Sequence, residues 1–331
     1  MGALLSSARC IIRGMAFDFD AAVTAPFRMQ PGLRRMARGA SHLTPMLPGS
    51  RHQREKLAVL SANPAQALQA VAGFDAQPAL HALAAHAAHE HPADFAWDGE
   101  RAAAPALGVA VRGDRIEEIA AGRFGLGDEV ARCIRGLPEA WRLAGLLSLA
   151  FIEDFALVDG QTGTLPWLAV TLPSHWAPEG KIGRHFREVH APVADNALLL
   201  RAGDHLMRMV SGPDRWERFV WNVTRHPRLN AHPAAIDHAP WPADAFADGQ
   251  ALRAWWRTEH QTFIPLPDRG QAVFTIHVET VPLAVAIDSP AKAARLHDAV
   301  ATMSDAVLAY RSLGSVRTAL LAWLAARAAA A

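Results

Sequence analysis

One histidine stands out among the residues whose type and spacing could do chemistry. His190 lies near the end of PSHWAPEGKIGRHFREVHAPV, residues 173–193. The segment predicts a helix that starts near Pro178, because proline is well tolerated in a first helical turn. On such a helix His190 shares one face with Ile182 and Phe186. The spacing therefore predicts that the His190 side chain points into the interior.

An inward histidine has two possible uses. A buried neutral imidazole can simply be hydrogen-bonded in the core, which is the commoner outcome for an arbitrary histidine. It can also offer one ring nitrogen to a metal while the other nitrogen is held by a carbonyl or water. Helical periodicity alone leaves both uses open.

A second group of reactive side chains lies on the segment RTEHQTF. Alternation along a strand places Arg257, Glu259 and Gln261 on one face and His260 on the other. An inward guanidinium and carboxylate are costly unless they pair with each other or meet a charged ligand. In a binding pocket the carboxylate could hold a protonated amine, while Arg or Gln donors polarise oxygen. An ordinary ion pair on a solvated sheet face is the alternative.

The elements that must position these residues indicate an α+β fold. Helical periodicity dominates residues 51–88 and 128–149, residues 106–122 alternate like a hairpin, and helices close the chain. This order favours an antiparallel sheet with flanking helices and a helical N-terminal extension. Residues 1–25 are expected to be poorly structured, 26–290 to form the main domain with its N-terminal helices, and 291–331 to form C-terminal helices. Five strands are predicted at residues 151–160, 165–173, 217–226, 255–267 and 271–283.

Composition excludes several classes of function. Of the 331 residues, 51% are hydrophobic and the formal net charge is +1, which gives no electrostatic reason to expect nucleic acid or an anionic membrane as partner. Cys10 and Cys133 are the only cysteines. They are too few for an iron–sulfur cluster and begin no CxxCH haem-attachment motif. Two isolated thiols predict a reducing, cytoplasmic location.

Four ordered motifs carry a family resemblance. PSHWAPEGKIGRHFREVHAPV, FIEDFALVDG, RFVWNV and RTEHQTFIPLPDRGQAVFTIHVETVPL resemble the signature segments of the haem-dependent oxidative N-demethylase alpha-subunit family. The resemblance extends over roughly residues 26–285. Four motifs in the same order are much more specific than any one of them.

The resemblance implies a PAS-like haem-binding domain that demethylates a small secondary amine, such as dimethylamine, with O2. His190 matches the histidine that would ligate the iron of haem b. FMN, a 2Fe–2S centre and NADPH are expected only on a separate reductase, since this chain has no GxGxxG fingerprint and too few cysteines. Glu259 would hold the amine, with Arg257 and Gln261 polarising oxygen. The other expected cofactor contacts are Lys181, Arg184, Phe186 and Trp221.

Three positions depart from the family pattern. Val220 replaces an asparagine, and His260 and His277 replace arginines. A non-catalytic haem-based gas or redox sensor is compatible with these changes and is the alternative function.

Two other features are weaker candidates. HALAAHAAHEHP carries His86 and His89 on one helical face, but no carboxylate pair or cysteine nearby favours a metal site. Glu153 and Asp154 are adjacent on a strand and should face opposite ways, which excludes a catalytic dyad.

Overall fold

The computed structural model describes residues 17–246 and 251–330, and within them the fold is α+β with antiparallel sheets. Residues 1–16, which include Cys10, lie outside the described part of the chain. The helices are α1 (Phe19–Ala22), α2 (Arg51–Ala62), α3 (Pro64–Ala67), α4 (Gln77–Glu90), α5 (Glu129–Arg135), α6 (Glu139–Ala150), α7 (Phe186–His190), α8 (Ala197–Val210), α9 (Leu283–Ala286), α10 (Pro290–Ala301), α11 (Asp305–Tyr310) and α12 (Arg317–Ala329). The strands are β1 (Arg34–Arg35), β2 (Leu68–Ala70), β3 (Ala96–Trp97), β4 (Arg101–Ala104), β5 (Val109–Arg112), β6 (Arg115–Glu118), β7 (Asp154–Asp159), β8 (Thr164–Ala169), β9 (Trp216–Thr224), β10 (Trp255–Leu266) and β11 (Gln271–Pro282).

The larger sheet has seven strands in the order β1-β9-β10-β11-β7-β8-β2, and every neighbouring pair is antiparallel. Its five long strands are the five predicted from the sequence, so those predictions are confirmed. A separate four-stranded meander, β3-β4-β5-β6, contains the predicted hairpin. Gly113 at the β5–β6 turn has φ +54°, a left-handed conformation that glycine adopts without steric cost. No helix among the described residues is long and apolar enough to cross a lipid bilayer.

The two faces of the seven-stranded sheet have different coverings. One face carries Trp221, Val223 and Trp256, which form a core with the C-terminal helices α10 to α12. We call this the packed face. The other carries Ala156, Ile276 and apolar neighbours that meet α8 and the loops around residues 172–182 and 229. We call this the open face, because it borders a large cavity.

The N-terminal prediction needs one correction. Residues 17–25 belong to the stretch expected to be poorly structured, yet α1 forms there with an Asp18 side-chain cap on Ala21 N. Phe19 is buried, and its ring lies 5.7 Å from that of Trp256. Burial of this ring, the ion pair between Asp18 and Arg34, and the hydrogen bond from Trp221 Nε1 to the Ala22 carbonyl oxygen together hold the segment against the sheet.

The predicted helix from Pro178 onward is also wrong. Pro178–Gly180 forms only a 3₁₀ turn, and α7 begins at Phe186. Gly183 interrupts the helix because it adopts φ +68°, and His185 is extended and bridges Thr164. His185 and Glu188 then form a capping box that starts the helix at Phe186.

Buried ionic groups lie where α2 meets the interior strands β7 and β11 of the sheet. Lys56 Nζ lies 3.1 Å from Asp154 Oδ1, and both side chains are fully buried. Glu153 instead pairs with His277, at 3.2 Å between Oε1 and Nδ1. The two adjacent carboxylates therefore have separate cationic partners, which confirms that they do not form a dyad. Glu279 Oε1 lies 3.7 Å from the second ring nitrogen of His277.

His277 predicts how stability depends on pH. Burial alone would lower its pKa, but the hydrogen bonds and charges of Glu153 and Glu279 raise the pKa of His277 to about 9, against 6.5 for an unperturbed histidine. The folded state therefore binds a proton that the unfolded chain releases. This stabilisation is complete below pH 6.5 and is lost as the pH rises through 9. We expect the free energy of unfolding to fall across this window by up to about 1.4 kcal/mol per pH unit.

Urea denaturation at a series of pH values measures this slope. His277→Gln should flatten it, while the control His89→Gln, at an exposed position of α4, should leave it unchanged. Equal slopes in the parent and His277→Gln would contradict the assignment of a charged His277.

Candidate active site

A cavity of about 930 Å³ separates the open face from α7, α8 and the surrounding loops. This volume lies in the upper part of the roughly 300–1,000 Å³ range of small-molecule sites. The three catalytic candidates Arg257, Glu259 and Gln261 all line it, and so does His190. The structure thus brings together two motifs that are about 70 residues apart in the sequence.

The His190 ring is oriented by the first residue of its own helix. Nδ1 lies 2.9 Å from the carbonyl oxygen of Phe186, and the two rings stack with centroids 4.0 Å apart. A carbonyl oxygen can only accept a hydrogen bond, so Nδ1 must carry the proton. Nε2 is then left with its lone pair, and it has no hydrogen-bond partner among the described residues. The half-buried His190 is therefore an imidazole prepared to bind a metal through Nε2.

Electrostatics keeps this imidazole neutral. Burial lowers the pKa of His190 to about 4, and the nearby charges of Arg218 and Lys181 act in the same direction. The hydrogen bond to Phe186 opposes the shift without cancelling it. At neutral pH no proton has to be removed before Nε2 can bind a metal.

The sheet wall opposite His190 is polar at its centre. In the β9–β10 register, Arg218 lies opposite Gln261, Val220 opposite Glu259 and Asn222 opposite Arg257, so all six residues share the open face. Gln261 Nε2 donates a hydrogen bond to Glu259 Oε2. Glu259 is only 8% exposed. The wall therefore presents one buried carboxylate flanked by an apolar valine.

Two buried polar atoms on this wall lack partners. Arg218 Nε and Asn222 Oδ1 are shielded from solvent, and neither has a hydrogen-bond partner among the described residues. Burial lowers the pKa of Arg218, although the charge of Glu259 opposes that shift. Unpaired buried donors and acceptors are costly. Because both atoms belong to residues of the cavity wall, a polar ligand or a water molecule in the cavity can complete their hydrogen bonds.

Arg257 is used differently from the sequence expectation. Nε donates to Ser174 Oγ at 2.7 Å, and Nη1 donates to the carbonyl oxygen of Arg228 at 2.9 Å. Nη2 reaches the carbonyl oxygens of Leu229, Pro173 and Leu172 at 2.6, 3.1 and 3.4 Å. The guanidinium joins two loops that wall the cavity. Because its donors are occupied, this geometry does not favour Arg257 as the group that polarises oxygen.

The remaining cofactor candidates fall into two groups. Phe186 and Lys181 line the cavity, and Lys181 Nζ donates to the carbonyl oxygen of Val189 at 2.9 Å. Arg184 is exposed and does not line the cavity. Trp221 borders the cavity, but its indole lies on the packed face, where it stacks on Trp256 and donates Nε1–H to the carbonyl oxygen of Ala22. The Arg184 side chain is thus exposed outside the cavity, and the Trp221 side chain is directed to contacts on the packed face.

Two clusters outside the cavity have the residue types of a metal site. His42 and His86 lie 3.6 Å from Glu90, and both ring nitrogens of His42 lie 3.2 Å from nitrogens of Arg215, which can only donate. In the cluster of His52, His277 and Glu279, His52 Nε2 must donate to the carbonyl oxygen of Val278 at 2.8 Å. In the second cluster a nitrogen needed for the metal therefore carries a proton, and in the first the positive Arg215 guanidinium lies beside His42, where it repels a cation. We therefore interpret both clusters as hydrogen-bond and ion-pair networks.

The hydrogen bonds from Arg257 to the two loops lead to a prediction about stability. Arg257→Lys keeps the positive charge but loses the planar fork, so it cannot satisfy the same five oxygen atoms. We expect a loss of about 2–4 kcal/mol in the free energy of unfolding, measured by urea denaturation. The control is Arg269→Lys in the exposed β10–β11 turn. If Arg257→Lys lowered the free energy of unfolding no more than Arg269→Lys does, the hydrogen bonds of Arg257 would not contribute to stability.

A family comparison agrees with this geometry. A family model described as haem-dependent oxidative N-demethylase, alpha subunit-like, matches residues 115–321. The matched part contains His190, all of β7 to β11 and the cavity wall, and it covers more than half of the chain. The chain therefore belongs to the haem-dependent oxidative N-demethylase alpha-subunit-like family.

Proposed function

We propose that this chain binds haem b through His190 and catalyses oxidative N-demethylation of a small secondary amine such as dimethylamine. The substrate, the use of O2 and the separate reductase are parts of the proposal. The observation that carries it is the pairing of an oriented, neutral imidazole with a buried carboxylate across one cavity. A PAS-like fold is the expected scaffold, and a cytoplasmic location fits a donor that oxidises NADPH.

The cavity fits haem in its donor set and its walls. His190 Nε2 offers the axial nitrogen, and the absence of a CxxCH motif is consistent with haem b, which is held without covalent bonds. Lys181, half-buried at the cavity, can pair with a propionate if it releases the Val189 carbonyl. The apolar walls that would contact the macrocycle are formed by Val158, Leu165, Phe186, Phe263 and Phe274.

Glu259 is suited to hold the substrate. A protonated secondary amine has two N–H groups, and a buried carboxylate both accepts their hydrogen bonds and compensates the charge. Val220, directly across the strand pair, offers an apolar contact for a methyl group. Glu259 therefore binds and orients the amine.

Arg218 and Gln261 are assigned the polarising role. Arg218 Nε is unpaired and buried, whereas the donors of Arg257 are committed to the loops. A preorganised donor in a site of low dielectric stabilises developing negative charge at little reorganisation cost. Our proposal therefore keeps Glu259 and Gln261 from the sequence prediction, gives Arg257 a positioning role and adds Arg218.

The overall reaction balances with two electrons. Dimethylamine, O2, two protons and two electrons give methylamine, formaldehyde and water, through hydroxylation of one methyl group and collapse of the carbinolamine. When bound, haem supplies the redox chemistry that activates O2. The electrons would come from a partner with FMN and a 2Fe–2S centre that oxidises NADPH.

Absorption spectroscopy tests haem binding. We expect the purified protein, supplied with haem, to show a Soret band, and His190→Ala to weaken haem binding at least tenfold. Imidazole added to His190→Ala should restore the band by supplying the missing nitrogen. The matched control is His89→Ala. An unchanged spectrum and affinity in His190→Ala would contradict the ligand assignment.

Glu259→Gln separates catalysis from cofactor binding. The amide keeps the shape but loses the charge, so we expect an unchanged Soret band and at least a hundredfold lower kcat/KM for formaldehyde release from dimethylamine. Glu100→Gln, at an exposed position, is the control. Equal kcat/KM in Glu259→Gln and the parent would reject the role of Glu259. A parent that binds haem and O2 but never releases formaldehyde would favour the sensor.

A further inference from the structure

We propose that the exposed surface of α7 and α8 docks an acidic electron-donor protein. This inference rests on the proposed function, because it identifies where electrons enter the site that contains His190. It depends on surface residues that are not part of the cavity.

The docking face is a stripe on α8 together with the neighbouring turn of α7. Leu198, Arg201, His205 and Arg208 follow one another at intervals of three, four and three residues, so they form one line along the exposed side of α8. All four are exposed, and Leu198 is 48% exposed. The stripe thus combines one apolar side chain with cationic neighbours, a composition found at protein interfaces.

The positive charge of this face is not neutralised within the chain. The stripe itself contains Arg201 and Arg208 and no carboxylate, whereas the chain as a whole is nearly balanced. Asp204 is already paired with Arg187, at 2.8 Å. The side chains of Arg184, Arg201 and Arg208 have no ion pair or hydrogen bond among the described residues. A partner that covers this face therefore needs carboxylates of its own.

Two consecutive packing contacts connect α8 to His190. Gly203 on the buried side of α8 packs so closely against Phe186 that a Cβ there would lie 2.9 Å from the ring. The Phe186 ring in turn stacks on His190. A donor docked on α8 would therefore be separated from the axial ligand by one helix and one aromatic ring.

The chemistry of electron exchange fits a surface of this kind. Redox encounters are transient, and their interfaces are small. Opposite charges on the two partners accelerate such encounters and make their rates depend on salt. An acidic flavin or iron–sulfur protein carries the negative charge that would pair with the unpaired arginines of this surface.

Stopped-flow reduction of the haem-loaded protein tests the docking face. An acidic 2Fe–2S ferredoxin, chemically reduced, serves as the probe donor, and photoreduced 5-deazaflavin serves as a neutral donor that needs no docking. In Arg201→Glu/Arg208→Glu we expect the rate constant with ferredoxin to fall at least tenfold at low ionic strength. The difference should shrink at high salt, and reduction by deazaflavin should be unchanged. The charge-matched control is Arg115→Glu/Arg123→Glu, at exposed positions near the four-stranded sheet.

The outcomes separate this proposal from the proposed function. A normal Soret band with an unchanged ferredoxin rate, or an equal fall in the control variant, would overturn the docking face alone. A parent rate that does not fall with added salt would overturn it as well. A parent protein without a Soret band would overturn both the proposed function and this inference.

Discussion

The hydrogen bond between His190 Nδ1 and the Phe186 carbonyl oxygen is the interaction on which the site depends. It fixes the tautomer of the imidazole, holds the ring against Phe186 and leaves Nε2 as the free nitrogen. The bond joins residues one helical turn apart, so it requires that α7, which begins at Phe186, be helical throughout. Gly183 and the capping box of His185 and Glu188 set that start. The backbone turn at Gly183 and the helix that begins at Phe186 therefore set how the His190 imidazole faces the cavity.

Much of the sheet could be predicted from the sequence, because strand alternation is a local property. The common face of Arg257, Glu259 and Gln261 followed directly from it. The helix through His190 was predicted too long, since hydrophobic spacing does not reveal that Gly183 adopts a left-handed conformation. The use of Arg257 could not be predicted, because its acceptors are carbonyl oxygens of distant loops. Arg218 could have been found from its alternation with Asn222 on β9.

The buried polar groups around the sheet differ in whether their charges are compensated. Near α2, charges are fully compensated: Lys56 has Asp154, and His277 has Glu153 and Glu279. On the open face, Arg218 and Asn222 are left with unpaired atoms. The unpaired atoms of Arg218 and Asn222 are available to a ligand in the cavity, whereas the compensated groups near α2 already have partners. The resemblance implies an arginine at the position of His277, and the raised pKa of His277 lets this side chain carry a positive charge as well. This substitution therefore does not by itself argue against a functional site.

The central claim is that His190 Nε2 is the axial ligand and that Nδ1 remains bound to the Phe186 carbonyl oxygen. A crystal structure of the haem-loaded protein tests this claim most directly. Our account predicts iron bonded to His190 Nε2, with the macrocycle between α7 and the wall formed by Glu259 and Arg218. Iron bonded to any other side chain, or haem bound outside this cavity, would contradict it.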